Sequence, residues 1–330
     1  TTVCAEDVFV FHAGRATFKL LGEDSYLRTL FTNRNRYESK WGTSWLTYGS
    51  PGGRRAAIKV AVPELELLLK EYPDRRVVVF PPTIGWSVPL FQRPHHLARK
   101  LAEMGFLVFF SVDGSRYDST KYLERITDGL YKSNIPHEAL ACVDKPIVFT
   151  TCYNRQYLQY YRRPVVIYDY YDDLSVFPYD QSLLRRQHRW LLENAHLVLV
   201  TADTLFEEVA KTRDDAILCP NAVELRDFAD IETPEMPDDI RKIRGEGMPI
   251  VGYVGAISKW LDYELLERAA ALNDKMNFVF IGPALDISIN DIALFRKKNV
   301  KLLGAREYKD VPKYVKAFDV AIVPFRADHI

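Results

Sequence analysis

"PVVIYDYYDDLSVFPYDQSLLRRQHRWLLENAHLVLVTA", residues 164–202, sets two runs of β-branched and aromatic residues around a segment of helical spacing. The runs, PVVIYDYY (164–171) and HLVLVTA (196–202), are apolar almost throughout instead of alternating with polar residues. That is the pattern of strands buried on both faces. Between them DQSLLRRQHRWLLENA reads as a helix. A helix joining two such strands makes a parallel crossover unit.

The same rhythm extends both ways. Upstream lie VVVFP (77–81), a helix after Pro94, LVFFSV (107–112), and PIVFTT (146–151) with NRQYLQYYRR read as helical. Downstream come the helix DTLFEEVAKT and the run AILCPN (216–221). DIETPEMPDDIRKIRGEGMP (230–249), rich in Pro, Gly and charge, then reads as a linker. After it the rhythm restarts with IVGYVGAI (250–257), a helix from Asp262, NFVFIG (277–282), and a helix around Asp291 to Lys298. VKLLG (300–304), a helix in KDVPKYVKAF and DVAIVPF (319–325) complete it. The fold class expected is α/β, with Rossmann-like parallel-sheet domains over 77–229 and 250–330 facing a cleft. Ligand groups would gather at the carboxyl ends of the strands. Residues 1–76 read as an N-terminal appendage ending in a connecting helix.

Composition narrows the functions. With 44 basic and 44 acidic residues in 330, nothing favours a nucleic-acid partner. Aromatics at 13% are abundant, as in many carbohydrate-handling proteins, but a large aromatic core is the simpler account of the same number. Cys4, Cys142, Cys152 and Cys219 lie far apart without metal spacing, as reduced thiols of a cytoplasmic protein do. No apolar run approaches the roughly 20 residues of a membrane span. The start at Thr-Thr-Val-Cys and the end just after DVAIVPF suggest a piece of a longer polypeptide.

Three junctions between strand and helix carry chemistry. FPPTIGWSVPLFQRPHHLARKLAEMGF (80–106) has Gly85 and Trp86 in its loop, and Arg93, His95 and His96 where the helix begins. It lacks the Gly-x-Gly-x-x-Gly that brings backbone against a dinucleotide pyrophosphate. Adjacent helical side chains diverge by about 100°, so one of the two histidines is expected to be structural. In YDYYDDLSVF, Asp172 and Asp173 follow a buried strand, where a carboxylate orients an acceptor hydroxyl or takes its proton. Aspartate is also a favoured helix cap, and both readings stand, with Asp173 ahead of Asp172 for catalysis. In VGYVGAISKW small residues let the backbone approach an anion, and Lys259 precedes a helix N-terminus.

The ordered set FQRPHHLARKLAEMGFLVFF, YDYYDDLSVF, AHLVLVTADTL, CPNAVEL, VGYVGAISKWLDYELL and AFDVAIVPF resembles the bacterial GT-B glycosyltransferases of the group 1 (GT4-like) class. Those enzymes build O-antigen, capsule and teichuronic-type polysaccharides. The resemblance implies a nucleotide-sugar donor, a glycan or lipid-linked acceptor, retention of configuration and no metal or other cofactor. On the donor side it implies Gly255, Lys259, Gly282, Gly304 and Arg306, with Ala where the family's diphosphate-binding Arg stands. Asn221 matches a phrase at the exit of the N-terminal domain. An acidic segment that grips the donor in the family would lie beyond DVAIVPF.

Residues 1–50 resemble instead the close of a GT-A family 2 glycosyltransferase, through DVFVFHAGRATFKLL and NRNRYESKWG. This implies a fusion in which other glycosyltransferase domains are partners. His12 falls where such enzymes place a metal-binding histidine, but one imidazole without carboxylates binds a metal weakly. The expected location is the cytoplasm, at the inner face of the membrane with peripheral contact to it. Two other readings remain: a non-catalytic GT-B scaffold beside a partner enzyme, and a nucleotide-sugar epimerase of GT-B shape.

Overall fold

The computed structural model describes residues 51–327 apart from 113–114, 116, 121, 230–234 and 246. The GT-A-like tail and His12 lie outside the described residues. Two compact units meet in sequence at Asn221 and Ala222, ahead of the expected linker, and Trp86–Leu97 goes with the second unit.

The first unit opens with helix α1 (Pro51–Glu71). Ala61, Leu65 and Leu68 recur at helical spacing and are buried with Val77, Val79, Leu107 and Phe109 in one cluster. The helix expected to tie down an appendage is thus part of this unit's core. The strands are β1 (Val77–Phe80), β2 (Leu107–Ser111), β3 (Leu123–Thr127) and β4 (Leu130–Ser133), then β5 (Ile147–Thr150), β6 (Val165–Tyr170), β7 (Leu197–Val200) and β8 (Ile217–Leu218). They form one sheet in the order β3-β4-β2-β1-β5-β6-β7-β8. Every pairing is parallel except that of β3 with β4. Side chains alternate along β1: Val77 and Val79 face the α1 cluster, whereas Phe80 stacks on Phe110 and Phe149. Both faces are covered, as the unbroken apolar runs require. Helices α2 (Arg93–Glu103), α3 (Gln181–Asn194) and α4 (Asp203–Ala210) make crossovers. Asp180 starts α3 by accepting the Leu183 N–H at 2.9 Å.

Short helices α5 (Arg226–Ala229) and α6 (Asp238–Arg244) lead into the second sheet. Its strands are β9 (Ile250–Val254), β10 (Asn277–Ile281), β11 (Val300–Gly304) and β12 (Val320–Ala321), with helices α7 (Tyr263–Leu272) and α8 (Val311–Lys316). They are all parallel, in the order β11-β10-β9-β12. Gly252 in β9 lies so close to the Phe318 ring that a Cβ would overlap it.

Three elements differ from expectation. NRQYLQYYRR makes only a 3₁₀ stretch, Arg155–Tyr160. Arg163, at positive φ before Pro164, turns the chain into β6 before an α-helix has room to propagate. The helix expected around Asp291 to Lys298 is two 3₁₀ turns, Ile289–Asp291 and Ala293–Arg296, parted by an extended Ile292. The β3–β4 hairpin is additional, turning at Asp128-Gly129 with Gly129 at φ 71°.

Candidate functional site

In the first sheet β2 and β5 lie on opposite sides of β1, so the crossover direction reverses between β1 and β5. That reversal opens a crevice at the strands' carboxyl ends, where such sheets bind ligands. Asn154 bridges it. Its buried Oδ1 accepts the Thr151 N–H and the Thr150 hydroxyl, both at 2.8 Å, and its Nδ2 donates to Thr83 Oγ1 at 3.1 Å. The loops after β1 and β5 are thereby joined. Gly85 packs so closely on Ser115 and Asp118 that any Cβ would overlap them, which accounts for the glycine sterically.

One strand along, the exit of β6 is held at both ends of Tyr171. Its carbonyl accepts from Thr201 Oγ1 at 2.9 Å, and its hydroxyl meets that of Tyr153 at 2.5 Å. Tyr153 stacks on Tyr179 with ring centroids 5.4 Å apart. The two candidate carboxylates then part company. Asp173 accepts the Ser175 N–H at 2.8 Å and caps the turn Leu174–Val176, and these bonds hold its carboxyl below the ordinary range. Asp172 is an exposed residue whose carboxyl is crowded: burial pushes its pKa up, and the charge on Asp173 adds to this. A raised carboxyl is the better proton acceptor. Asp173 is thus engaged as a cap, and Asp172 is not. Beneath them His188, from α3, is buried with its Nδ1 2.7 Å from the Tyr168 hydroxyl and its ring 4.6 Å from that of Tyr170.

In the second sheet the order reverses between β9 and β12. At the end of β9, Gly255 donates its N–H to Ile281 at 2.9 Å. Gly282, at φ 147°, passes so near the Gly255 carbonyl that a Cβ would overlap it. Pairing then resumes beyond this crossing. Ile257 donates to Pro283 and Leu285 to Ile257, each at 2.9 Å, as a parallel bridge between Ile257 and Ala284. The loop carrying Lys259 is fastened in this way to the loop carrying Asp286. A groove of about 680 Å³ follows, with Lys259, Tyr263, Ser288, Asp291 and Arg326 on its walls. Asp262 caps α7 through the Leu265 N–H at 2.9 Å and anchors the far wall by donating its own N–H to Pro324.

Other expected residues stand apart from this groove. Arg306 donates to Asp239 and to the Tyr314 hydroxyl, each at 2.8 Å, joining the end of β11 to α6 and α8. Burial opposes the effect, but these bonds hold Asp239 below the ordinary carboxylate range. Gly304 supplies the left-handed turn, φ 72°, leading to Arg306. Of the two histidines, His95 is the structural one: it is fully buried, accepts the Gln92 N–H at 3.0 Å and lies against the rings of Trp86 and Phe91. Arg93 and His96 are half-buried. Asn154, Tyr153, Thr201, His188, Asp286 and Arg326 escaped the sequence reading. Of these, only Asn154 and Thr201 carried a signal, as polar residues just past buried strands.

Among the described residues no group of three or more His, Cys, Asp and Glu is placed to hold a metal ion, and no helix is long and apolar enough to cross a membrane. No family model matches the chain. Over 143 residues, 41% of this chain and 35% of the relative, it is 28% identical to TuaH of Bacillus subtilis strain 168, named for a glycosyltransferase of teichuronic acid biosynthesis. The chain therefore matches about a third of that relative's length. HepE of Anabaena, solved with UDP and glucose, superposes with a TM-score of 0.50 at 18% identity over 75% of this chain and 73% of its own. The catalytic domain of starch synthase IV from Arabidopsis thaliana, solved with ADP and acarbose, gives 0.52 at 12% identity over 76% and 78%. These likenesses establish the fold, two Rossmann-like parallel-sheet units of the kind found in GT-B glycosyltransferases.

Proposed function

We propose that this chain belongs to a glycosyltransferase that moves a sugar from a nucleotide-sugar donor to a glycan or lipid-linked acceptor in bacterial surface polysaccharide synthesis. The observation that carries the reading is the groove at the carboxyl edge of the second sheet. There Lys259 and Arg326 stand among Asp262, Glu264 and Asp291 on the groove walls, beyond the Gly255 exit of β9. The two cations and the N-terminus of α7 are the groups there that would meet an anionic leaving group. The 28% identity to TuaH adds the polysaccharide context.

In the reaction the bond from the anomeric carbon to the diphosphate oxygen breaks, and a bond from that carbon to the acceptor oxygen forms. The diphosphate leaves with the electron pair, and Lys259 and Arg326 offset its growing charge. The acceptor hydroxyl loses its proton, a role that falls to Asp172 as the carboxylate left uncommitted by capping. Membership of the group 1 (GT4-like) class, retention of configuration, transfer without a metal, a cytoplasmic site beside the membrane and covalent partnership with a GT-A module are the finer parts of the same reading.

The test is a panel of UDP-, ADP-, GDP- and TDP-sugars incubated with the protein, with and without glycan and lipid-linked acceptors. Release of nucleoside diphosphate that requires an acceptor supports transfer. Sugar epimerisation without an acceptor, or no turnover with any pair, refutes it.

A further inference from the structure

Asp286 carries an anomaly that the groove alone does not explain. It is a non-glycine residue at φ 51°, on the loop after β10, and exposed. Left-handed backbone is unfavourable for a residue with a side chain, though Asp and Asn tolerate it best. Something holds it there. The Ser258 hydroxyl, on a residue with no exposed surface, donates to Asp286 Oδ1 in a short hydrogen bond. The second carboxylate oxygen, Oδ2, stands 3.8 Å from Lys259 Nζ.

The position of the carboxylate decides what it does. Lys259 lines the groove, as do Ile287 and Ser288, whereas Asp286 is not on its walls and has Oδ2 3.8 Å from the Lys259 ammonium. The carboxylates on the walls, Asp262, Glu264 and Asp291, are not paired with the ammonium, whereas Asp286 is. A carboxylate paired with the ammonium from outside the groove walls restrains a long flexible side chain while leaving the other hydrogens of the ammonium to a ligand. The backbone supports this placement. The parallel bridge from Ile257 to Ala284 locks the two loops together, and the Ser258 carbonyl accepts the Tyr263 hydroxyl at 2.8 Å. Ser258, Asp286 and Lys259 are thus mounted on one rigid crossing and not on two independent loops.

We propose that Asp286, anchored by Ser258, is a positioning residue that holds the Lys259 ammonium toward the diphosphate of the nucleotide-sugar donor. The inference rests on the donor reading given above. Asp286 touches no reacting atom; it acts through Lys259 by removing conformations that point the ammonium elsewhere. Since the lysine side chain is 75% exposed and the aspartate 31%, the effect belongs to the range of a solvent-screened pair, about two- to fivefold in affinity.

The experiment is titration calorimetry of the protein with UDP, ADP, GDP and TDP, and with the matching nucleosides. Asp286→Asn keeps a residue that tolerates the left-handed backbone, and Ser258→Ala frees the carboxylate without changing charge. Both are expected to weaken the diphosphate about two- to fivefold and leave the nucleoside unchanged. Asp286→Asn made on top of Lys259→Ala is expected to add nothing. Tighter or unchanged diphosphate binding by Asp286→Asn overturns the proposal, because repulsion then outweighs positioning or neither operates. Equal loss for nucleoside and diphosphate overturns it too, as the signature of a general structural role. A wild-type protein that binds none of the four diphosphates overturns the donor reading and this inference with it, whereas wild-type binding indifferent to both variants overturns this inference alone.

Discussion

His188 should make the first unit sensitive to acid. Burial between Tyr168, Tyr170 and the turn carrying Asp173 pushes its pKa from 6.5 down to about 4, and the Asp173 charge only partly opposes this. The folded protein therefore refuses a proton that the unfolded chain accepts. Stability from this residue is fully present above about pH 6.5, and is lost as pH falls toward 4. The shift corresponds to about 3 kcal/mol in full, of which about 2 kcal/mol is gone by about pH 5. His188→Gln removes the titration while keeping a group that can hydrogen-bond the Tyr168 hydroxyl. Denaturant unfolding of both proteins at about pH 7.5 and about pH 5, followed by far-ultraviolet circular dichroism, measures the difference. The wild type is expected to lose about 2 kcal/mol more than the variant over that interval, with carboxylate contributions common to both cancelling. Parallel pH profiles would refute the reasoning. So would a His188 imidazole resonance that titrates near pH 6.5 in the folded protein.

Three further outcomes are open to measurement. Lys259→Ala should weaken nucleoside diphosphate binding by about 1.5–3 kcal/mol, the worth of a charge-assisted hydrogen bond, or roughly 10- to 150-fold by calorimetry; unchanged affinity in a folded variant sinks the phosphate assignment. Asp172→Asn should abolish most turnover while barely moving stability, whereas Asp173→Ala should cost about 1 kcal/mol of stability as a lost cap; initial rates and thermal melts that show the reverse restore Asp173 as the catalytic group. Gly282→Ala must push a Cβ into the Gly255 carbonyl at a φ unsuited to alanine. It should destabilise the second unit by about 3 kcal/mol, and a melting curve like the wild type's would show that the crossing relaxes freely.

The sheets were legible in the sequence because they are buried on both faces. A run such as VVVF or NFVFI has one physical explanation when turn signals bound it, and β1 and β10 appear where those runs lie, with every residue buried. The hairpin was harder, since Leu123–Thr127 has no fully buried residue and no regular alternation, and only Asp128-Gly129 announced its turn. Lys259 could be placed at a strand exit from local sequence alone. What surrounds it could not, since Asp286 lies 27 residues away and meets it only because β9 and β10 are adjacent. Arg306 is a second such case. The resemblance implied a donor-side role for it, while its partner Asp239, on a helix that precedes the sheet, is 67 residues away and could not be read from local sequence. The order of Asp172 and Asp173 likewise depended on which one the Ser175 amide reached.

The two borders of the eight-stranded sheet bear on how the protein behaves at high concentration. An open parallel sheet ends in strands whose outer amides and carbonyls invite another chain to pair, which is a route to aggregation. Here one border is β3, which turns antiparallel at the end of the ladder and carries Glu124 and Arg125 in its short span. Glu124 forms an ion pair with Lys132 at 2.7 Å and Arg125 one with Asp128 at 3.1 Å, so a strand arriving at this border meets charge of both signs. The other border, β8, offers only Ile217 and Leu218 before Pro220, which has no amide hydrogen to give. Neither is a good template for a further strand. Among the described residues, each border therefore resists the pairing of a further strand in its own way, one by charge and one by proline.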